Sequence, residues 1–287
     1  MDPGQSHPST QLYLNQSKAL IALSDGDIPQ ARDLFLLNTS IYVDHPHLLQ
    51  DQPVNYLATL HNLLNLDAAT QNREQFQANF DLLLNDYDRY FKDQARGRKA
   101  EQTFLIYWHI VTTYCVRFRE TEIGMGRIGE FRASLDRMNP EFNPNDHLAL
   151  LNTFFNFAIL GLHAGDLTES NRFLNLVLND PRLQHDLDIY QSARLFQMVL
   201  FYEKGEYDFV LDLLERYRRR RKKTTSPPLL AEKLIGLLER LSQARSDAKK
   251  LHFFEAFEQD LDTMGASNQV IPFLQNFNLR GWATSHL

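Results

Sequence analysis

Residues 157–174 read Phe157-Ala158-Ile159-Leu160-Gly161-Leu162-His163-Ala164-Gly165-Asp166-Leu167-Thr168-Glu169-Ser170-Asn171-Arg172-Phe173-Leu174, and this stretch decides the fold. Gly165 ends one helix, because it takes the left-handed backbone that a helix C-terminus needs. Asp166 follows where the positive start of the next helix favours an acid. Leu167 and Leu174 fill the seam between the two helices, and Ser170 lets them approach closely. The same arrangement occurs twice more. Gly26-Asp27-Ile28 leads to Ala31 and Phe35, and Gly205-Glu206-Tyr207 leads to Val210 and Leu214. Each is glycine, an acid, an apolar residue, a small or medium residue at +5 and a large one at +9. That is the outline of a helical hairpin.

Outward from these turns the chain reads as helix after helix. Apolar spacing of three and four predicts helices over 11–24, 29–42, 53–69, 73–92, 100–119, 127–138 and 146–163. It predicts further helices over 168–179, 186–203, 207–223, 229–244, 247–263 and 271–284. Pro29 sits in the first turn of its helix, where a missing N–H does no harm. Phe104, Ile106, Tyr107, Trp108, Ile110, Val111, Tyr114 and Val116 wrap most of one helix, which implies burial between neighbours. No stretch alternates with period two. Glycine and proline together number only 23 of 287 residues, few for a turn-rich sandwich or barrel. The expected fold is all-α, an α-α superhelix of stacked antiparallel helical hairpins, in which each pair buries its apolar faces on its neighbours. Residues 1–10 read as a flexible leader and 11–287 as a single helical-repeat domain. Its clearest hairpins are 11–42, 53–92, 146–179 and 186–223, with C-terminal helices over 229–285.

The offsets at Gly26, Gly165 and Gly205 resemble those of the tetratricopeptide repeat. Phe157-Ala158 sit where that family has a large–small pair. A weaker fourth match runs through Gln71, Arg73, Phe76, Phe80 and Leu83, with a polar residue in place of glycine. The long series of aromatic-rich helices also looks like the large, divergent tetratricopeptide-like proteins of bacteria. The three glycines are 139 and 40 residues apart, not multiples of 34, so the resemblance implies a degenerate array over most of 11–245. It implies binding of a peptide or protein segment on a concave face, where inner helices present asparagines to an extended backbone. By register Asn62, Asn65 and Asn156 take those positions, and an amide suits the task because it both donates and accepts.

Charge narrows the partners. Residues 1–90 carry 4 Lys/Arg against 11 Asp/Glu, and residues 91–287 carry 26 against 25. An acidic first third disfavours nucleic acid wrapped along the whole chain. The start, Met1 to Pro8, lacks the basic and apolar regions of a secretory signal, and no apolar run reaches the length of a membrane span. A cytoplasmic protein without membrane contact is expected. One cysteine, Cys115, excludes a disulfide framework and a multi-cysteine zinc site.

Several motifs suggest chemistry and lack its context. Gly124-Met125-Gly126-Arg127-Ile128-Gly129 matches G-x-G-x-x-G. The dinucleotide turn needs an entering apolar strand and a second strand with an acid, and neither is present. A flexible link between two helices is expected here, and no cofactor. His45, His47, His61, His109, His147 and His163 are scattered, without metal-ligand spacing. Cys115 lies among aromatics as a small buried hydrophobe does. Arg216, Arg218, Arg219, Arg220, Arg221, Lys222 and Lys223 form a basic run at a helix C-terminus. Arg218 to Lys223 there are either a solvated helix end or a patch for an anionic partner. Tyr107, Trp108 and Tyr114 fit the core better than an aromatic anchor. The expected role is non-catalytic: a scaffold or adaptor that binds a protein or peptide segment. A peptide-responsive regulator, or an RNA-binding protein using residues 216–223, is the alternative.

Overall fold

A computed structural model of the chain describes residues 7–93, 97–138, 144–182, 188–221, 229–264 and 277–287. Fifteen α-helices and no β-strand occur among the described residues. They are α1 (Pro8–Ser24), α2 (Ile28–Asp44), α3 (His47–Asp51), α4 (Pro53–Ala69), α5 (Arg73–Asp86), α6 (Arg98–Phe118), α7 (Thr121–Gly126) and α8 (Ile128–Met138). Then come α9 (Pro144–His163), α10 (Leu167–Leu178), α11 (Asp188–Glu203), α12 (Tyr207–Arg221), α13 (Leu229–Gln243), α14 (Asp247–Met264) and α15 (Leu279–Thr284). A π-helical turn, Tyr87–Phe91, continues α5. The protein is all-α, built from packed helical hairpins.

Two expectations change at the helix starts. Residues 8–10 belong to α1 rather than to a leader: Pro8 fits the first turn, and the His7 ring accepts the Ser9 N–H at 3.3 Å. Gly124 and Gly126 lie in α7, not in a flexible link. The remaining caps follow the sequence: Asp27 accepts from Gln30 N–H and Asp166 from Glu169 N–H, each at 3.0 Å.

Among the described residues the hairpin turn occurs five times: at the three glycines, at Gln71 where the sequence gives a weaker match, and at Arg119. Gly26, Gln71, Arg119, Gly165 and Gly205 all have positive φ, between 56° and 79°. In each turn the next residue's N–H reaches the carbonyl five residues back: Asp27 to Ala22, Asn72 to Asp67, Glu120 to Cys115, Asp166 to Gly161 and Glu206 to Phe201, all at 2.8–3.0 Å. These are the paired bonds of a left-handed helix C-cap. The turns are spaced 45, 48, 46 and 40 residues apart, so the gap of 139 hides two of them. Ala31, Phe76, Gly124, Ser170 and Val210 occupy the +5 position, all buried. Phe35, Phe80, Ile128, Leu174 and Leu214 are the buried +9 residues.

Close approach explains the small residues. A Cβ on Gly161 would lie 2.8 Å from the Ser170 backbone N, and one on Gly124 would lie 2.7 Å from Leu160 Cδ1. Gly124 thus serves helix packing, whereas a Cβ on Gly126 or Gly129 would meet nothing within 4 Å.

The chain forms two compact units, where the sequence groups 11–287 as one domain. Residues 1–110 and 130–149 make the first, and 111–129 and 150–287 the second. In the first, α1 packs on α2, α2 on α4, and α4 on α5. Phe35, Leu57, Leu60, Leu64, Phe80 and Leu83 are its apolar core. Tyr87 in the π-turn stacks on Tyr107 at 3.4 Å, and Trp108 packs edge-on to Tyr107 and Phe131. Tyr107 and Trp108 are therefore core residues and not a surface anchor. In the second unit α11 touches α10, α12 and α13, and α13 and α15 both pack on α14. Tyr114, Phe157, Phe173, Leu195, Phe196 and Leu237 are buried there.

Candidate binding cavity

The second unit holds a cavity of about 530 Å³. Three chain segments build it. Helix α11 ends in Tyr202 and Glu203, and the Gly205 turn brings Tyr207 into place at the start of α12. Helix α14 supplies Asp247, Ala248, Lys250, Leu251 and Phe254 from its first two turns, where spacings of three and four share a face. His286 follows α15.

The aromatic rings interlock. Phe254 and His286 stack 4.5 Å apart at an interplanar angle of 7°. Tyr202 lies 5.5 Å from Tyr207 and packs edge-on to Phe254 at 6.3 Å. Trp282 closes the group from behind, 5.6 Å from Phe254. Glu203 is the polar centre: its Oε1 accepts from Trp282 Nε1 at 2.6 Å and pairs with His286 Nε2 at 2.8 Å. The Lys250 ammonium sits 5.0 Å over the Tyr207 ring, 3.3 Å from its hydroxyl and 3.7 Å from Asp247 Oδ1. Burial pushes the Tyr202 hydroxyl well above the usual tyrosine range, and Tyr207, Glu203 and Asp247 add to the shift.

A smaller cavity of about 270 Å³ lies in the first unit, lined by Gln50, Asp88, Arg89, Tyr90 and Asp93. It sits on the π-turn, which supplies Asp88, Arg89 and Tyr90.

The residues singled out in the sequence fall on both units. Asn62 is half-buried on α4, and Asn65, one turn on, is exposed with its Nδ2 3.1 Å from His61 Nε2. Asn156 belongs to the second unit and is 1% exposed. Its Nδ2 lies 3.2 and 3.1 Å from the hydroxyls of Thr112 and Thr113, so it ties α9 to α6 rather than facing a ligand. Three cations of the basic run pair with acids of their own chain. Arg216 pairs with Asp212 at 2.7 Å, Arg219 with Glu215, and Arg218 makes two 2.7 Å bonds to Glu239. That pairing holds the Glu239 carboxyl below its usual range. Lys222, Lys223 and the side chains of Arg220 and Arg221 lie outside the described residues.

Cys115 is buried, and burial pushes its thiol up to about 12, with Glu120 adding to the shift. A thiol held so far above neutrality is a poor nucleophile. Among the described residues no three His, Cys, Asp or Glu gather as a metal site. No described helix is long and apolar enough to cross a membrane.

Fold and cavity together define an all-α protein of packed helical hairpins with an aromatic, charged cavity in its second unit. No protein-family model, curated protein or solved structure matches the chain.

Proposed function

We propose that the protein is a non-catalytic, cytoplasmic scaffold or adaptor of tetratricopeptide-like kind, which holds a segment of a partner protein. The observation that carries this reading is the cavity at Tyr202, Glu203, Tyr207 and Phe254. Its rings and polar groups are fixed by mutual stacking and by the Glu203 hydrogen bonds. A preorganised recess of that kind binds a side chain without a large ordering cost. The five matching turns support a repeat array, in which neighbouring hairpins present such recesses. Their 40–48-residue spacing, against 34 in the family, makes the hairpins longer than the family's. The ion pairs of Arg216, Arg218 and Arg219 do not favour an RNA-binding role.

The test is an array of immobilised random twelve-residue peptides probed with the full chain and with Ala248→Trp. Ala248 is exposed at the cavity, so the larger ring fills the recess without entering the core. A subset of peptides should retain the protein, and the variant should lose them by about tenfold or more. Retention of no peptide, or retention indifferent to Ala248→Trp, would overturn the reading.

A further inference from the structure

The cavity already accommodates one cation. Lys250 places its ammonium over the Tyr207 ring, against the Tyr207 hydroxyl and near Asp247. Its side chain is partly exposed and belongs to the first turn of α14, so it can swing outward without disturbing the core. Around that seat the chemistry favours positive charge. Two carboxylates, Glu203 and Asp247, line the recess beside one lysine, Asp247 at its exposed rim. An anion entering here would meet both carboxylates. An apolar ligand would leave Glu203 and the Tyr207 hydroxyl facing hydrocarbon, at a desolvation cost. A ligand ammonium gains the aromatic faces of Tyr202, Tyr207 and Phe254 and a carboxylate counter-ion together.

We propose that the cavity is a seat for the ammonium group of a lysine side chain in the bound segment, and that Lys250 is its resident occupant, displaced when the ligand enters. This inference rests on the segment-binding reading and adds the chemistry of the residue that is read.

Three peptides test it: acetyl-Gly-Gly-Lys-Gly-Gly-amide and the same peptide with norleucine or glutamate in place of lysine. Each is titrated into the full chain while the indole N–H signal of Trp282 is followed by NMR. Trp282 donates to Glu203, and Trp108, buried in the first unit, is the internal control. The lysine peptide should shift the Trp282 signal alone and bind about tenfold more tightly than the norleucine peptide. Lys250→Met should strengthen lysine-peptide binding several-fold by vacating the seat, and Tyr207→Leu should erase the preference for lysine. Equal binding of the norleucine peptide would overturn the inference. So would binding of the glutamate peptide that Lys250→Met abolishes, since Lys250 would then be an anion anchor. If the peptide array succeeds and is sensitive to Ala248→Trp while lysine carries no preference, only this inference falls. If the array also fails, both do.

Discussion

The side chain of Asp67 is fully buried, and its Oδ1 accepts a hydrogen bond from Arg32 Nε at 3.0 Å. Asn79 Nδ2 donates to the other oxygen at 2.6 Å. The pair pins α2, α4 and α5 together. Asp67 stands four residues before its turn residue, where the other turns have Ala22, Cys115, Gly161 and Phe201. A buried carboxylate that loses its cation is strongly destabilising, by about 3 kcal/mol, whereas removing both charges costs less. Arg32→Met should therefore destabilise the first unit more than the double variant Arg32→Met/Asp67→Ala does. Urea denaturation of the three proteins measures the difference. A double variant less stable than the single would show that the carboxylate is held by Asn79 alone.

Two glycines in helices of the second unit should respond oppositely to the same change. Gly161→Ala drives a Cβ to 2.8 Å from the Ser170 backbone, which can yield only by separating α9 from α10. The expected loss is about 1–3 kcal/mol. Gly236 lies inside α13, and a Cβ there meets nothing within 4 Å. Gly236→Ala should gain up to about 1 kcal/mol from helix propensity alone. Thermal unfolding of the two variants decides: a fall for the first and a rise for the second.

Much of the architecture was readable in the residues, because spacings of three and four mark helices wherever the apolar face is regular. All twelve helices expected before residue 264 are present, with ends shifted by a few residues. The short α3 and α7 escaped because five or six residues carry too little periodicity. One of the five turns escaped for a different reason. Gln71 shows only as a weaker match because a polar residue stands in place of glycine, and Arg119 not at all; the backbones of both are held in the left-handed region by the bonds around them. The cavity was invisible because Glu203 and His286 are 83 residues apart in sequence and become neighbours only when α15 docks. Asn156 illustrates the converse: its register fits a binding face, yet the neighbouring threonines of α6 claim its amide.

Gln71 therefore offers a stabilising change. A non-glycine residue in the left-handed region costs about 1–2 kcal/mol, which glycine avoids. Gln71 is exposed on the turn. Gln71→Gly should raise the stability of the first unit by roughly 0.5–1 kcal/mol, after allowance for glycine's greater unfolded freedom. Arg119→Gly should gain nothing comparable, because the Arg119 guanidinium lies against Gly281 and that contact is lost. Chemical denaturation of both variants, run side by side, tests the contrast.

The asparagines should separate by burial. Asn156→Ala leaves the Thr112 and Thr113 hydroxyls without their amide donor inside the second unit, at a cost of about 1–3 kcal/mol. Asn62→Ala and Asn65→Ala, half-buried and exposed, should each change stability by no more than about 0.5 kcal/mol. Equal destabilisation by all three would mean that the α4 face is packed and not available to a ligand.

Stability should fall on mild acidification. His61 and His163 are half-buried, and loss of solvent lowers each from the usual 6.5 to about 4; His109 adds to the effect on His61, and Arg119 to that on His163. Burial lowers His109 as well. In the unfolded chain these rings protonate near pH 6.5, while the folded chain resists protonation until about pH 4. The unfolded state thus binds more protons throughout that interval, and folding stability drops as pH falls through it. Above the upper bound the contribution is complete; below the lower one the loss levels off. His61→Gln removes one such ring and should flatten the dependence, so that denaturant midpoints at pH 7 and pH 4.5 differ less than in the parent. An unchanged difference would place the proton-linked loss elsewhere, and His163→Gln would then be the variant that flattens it.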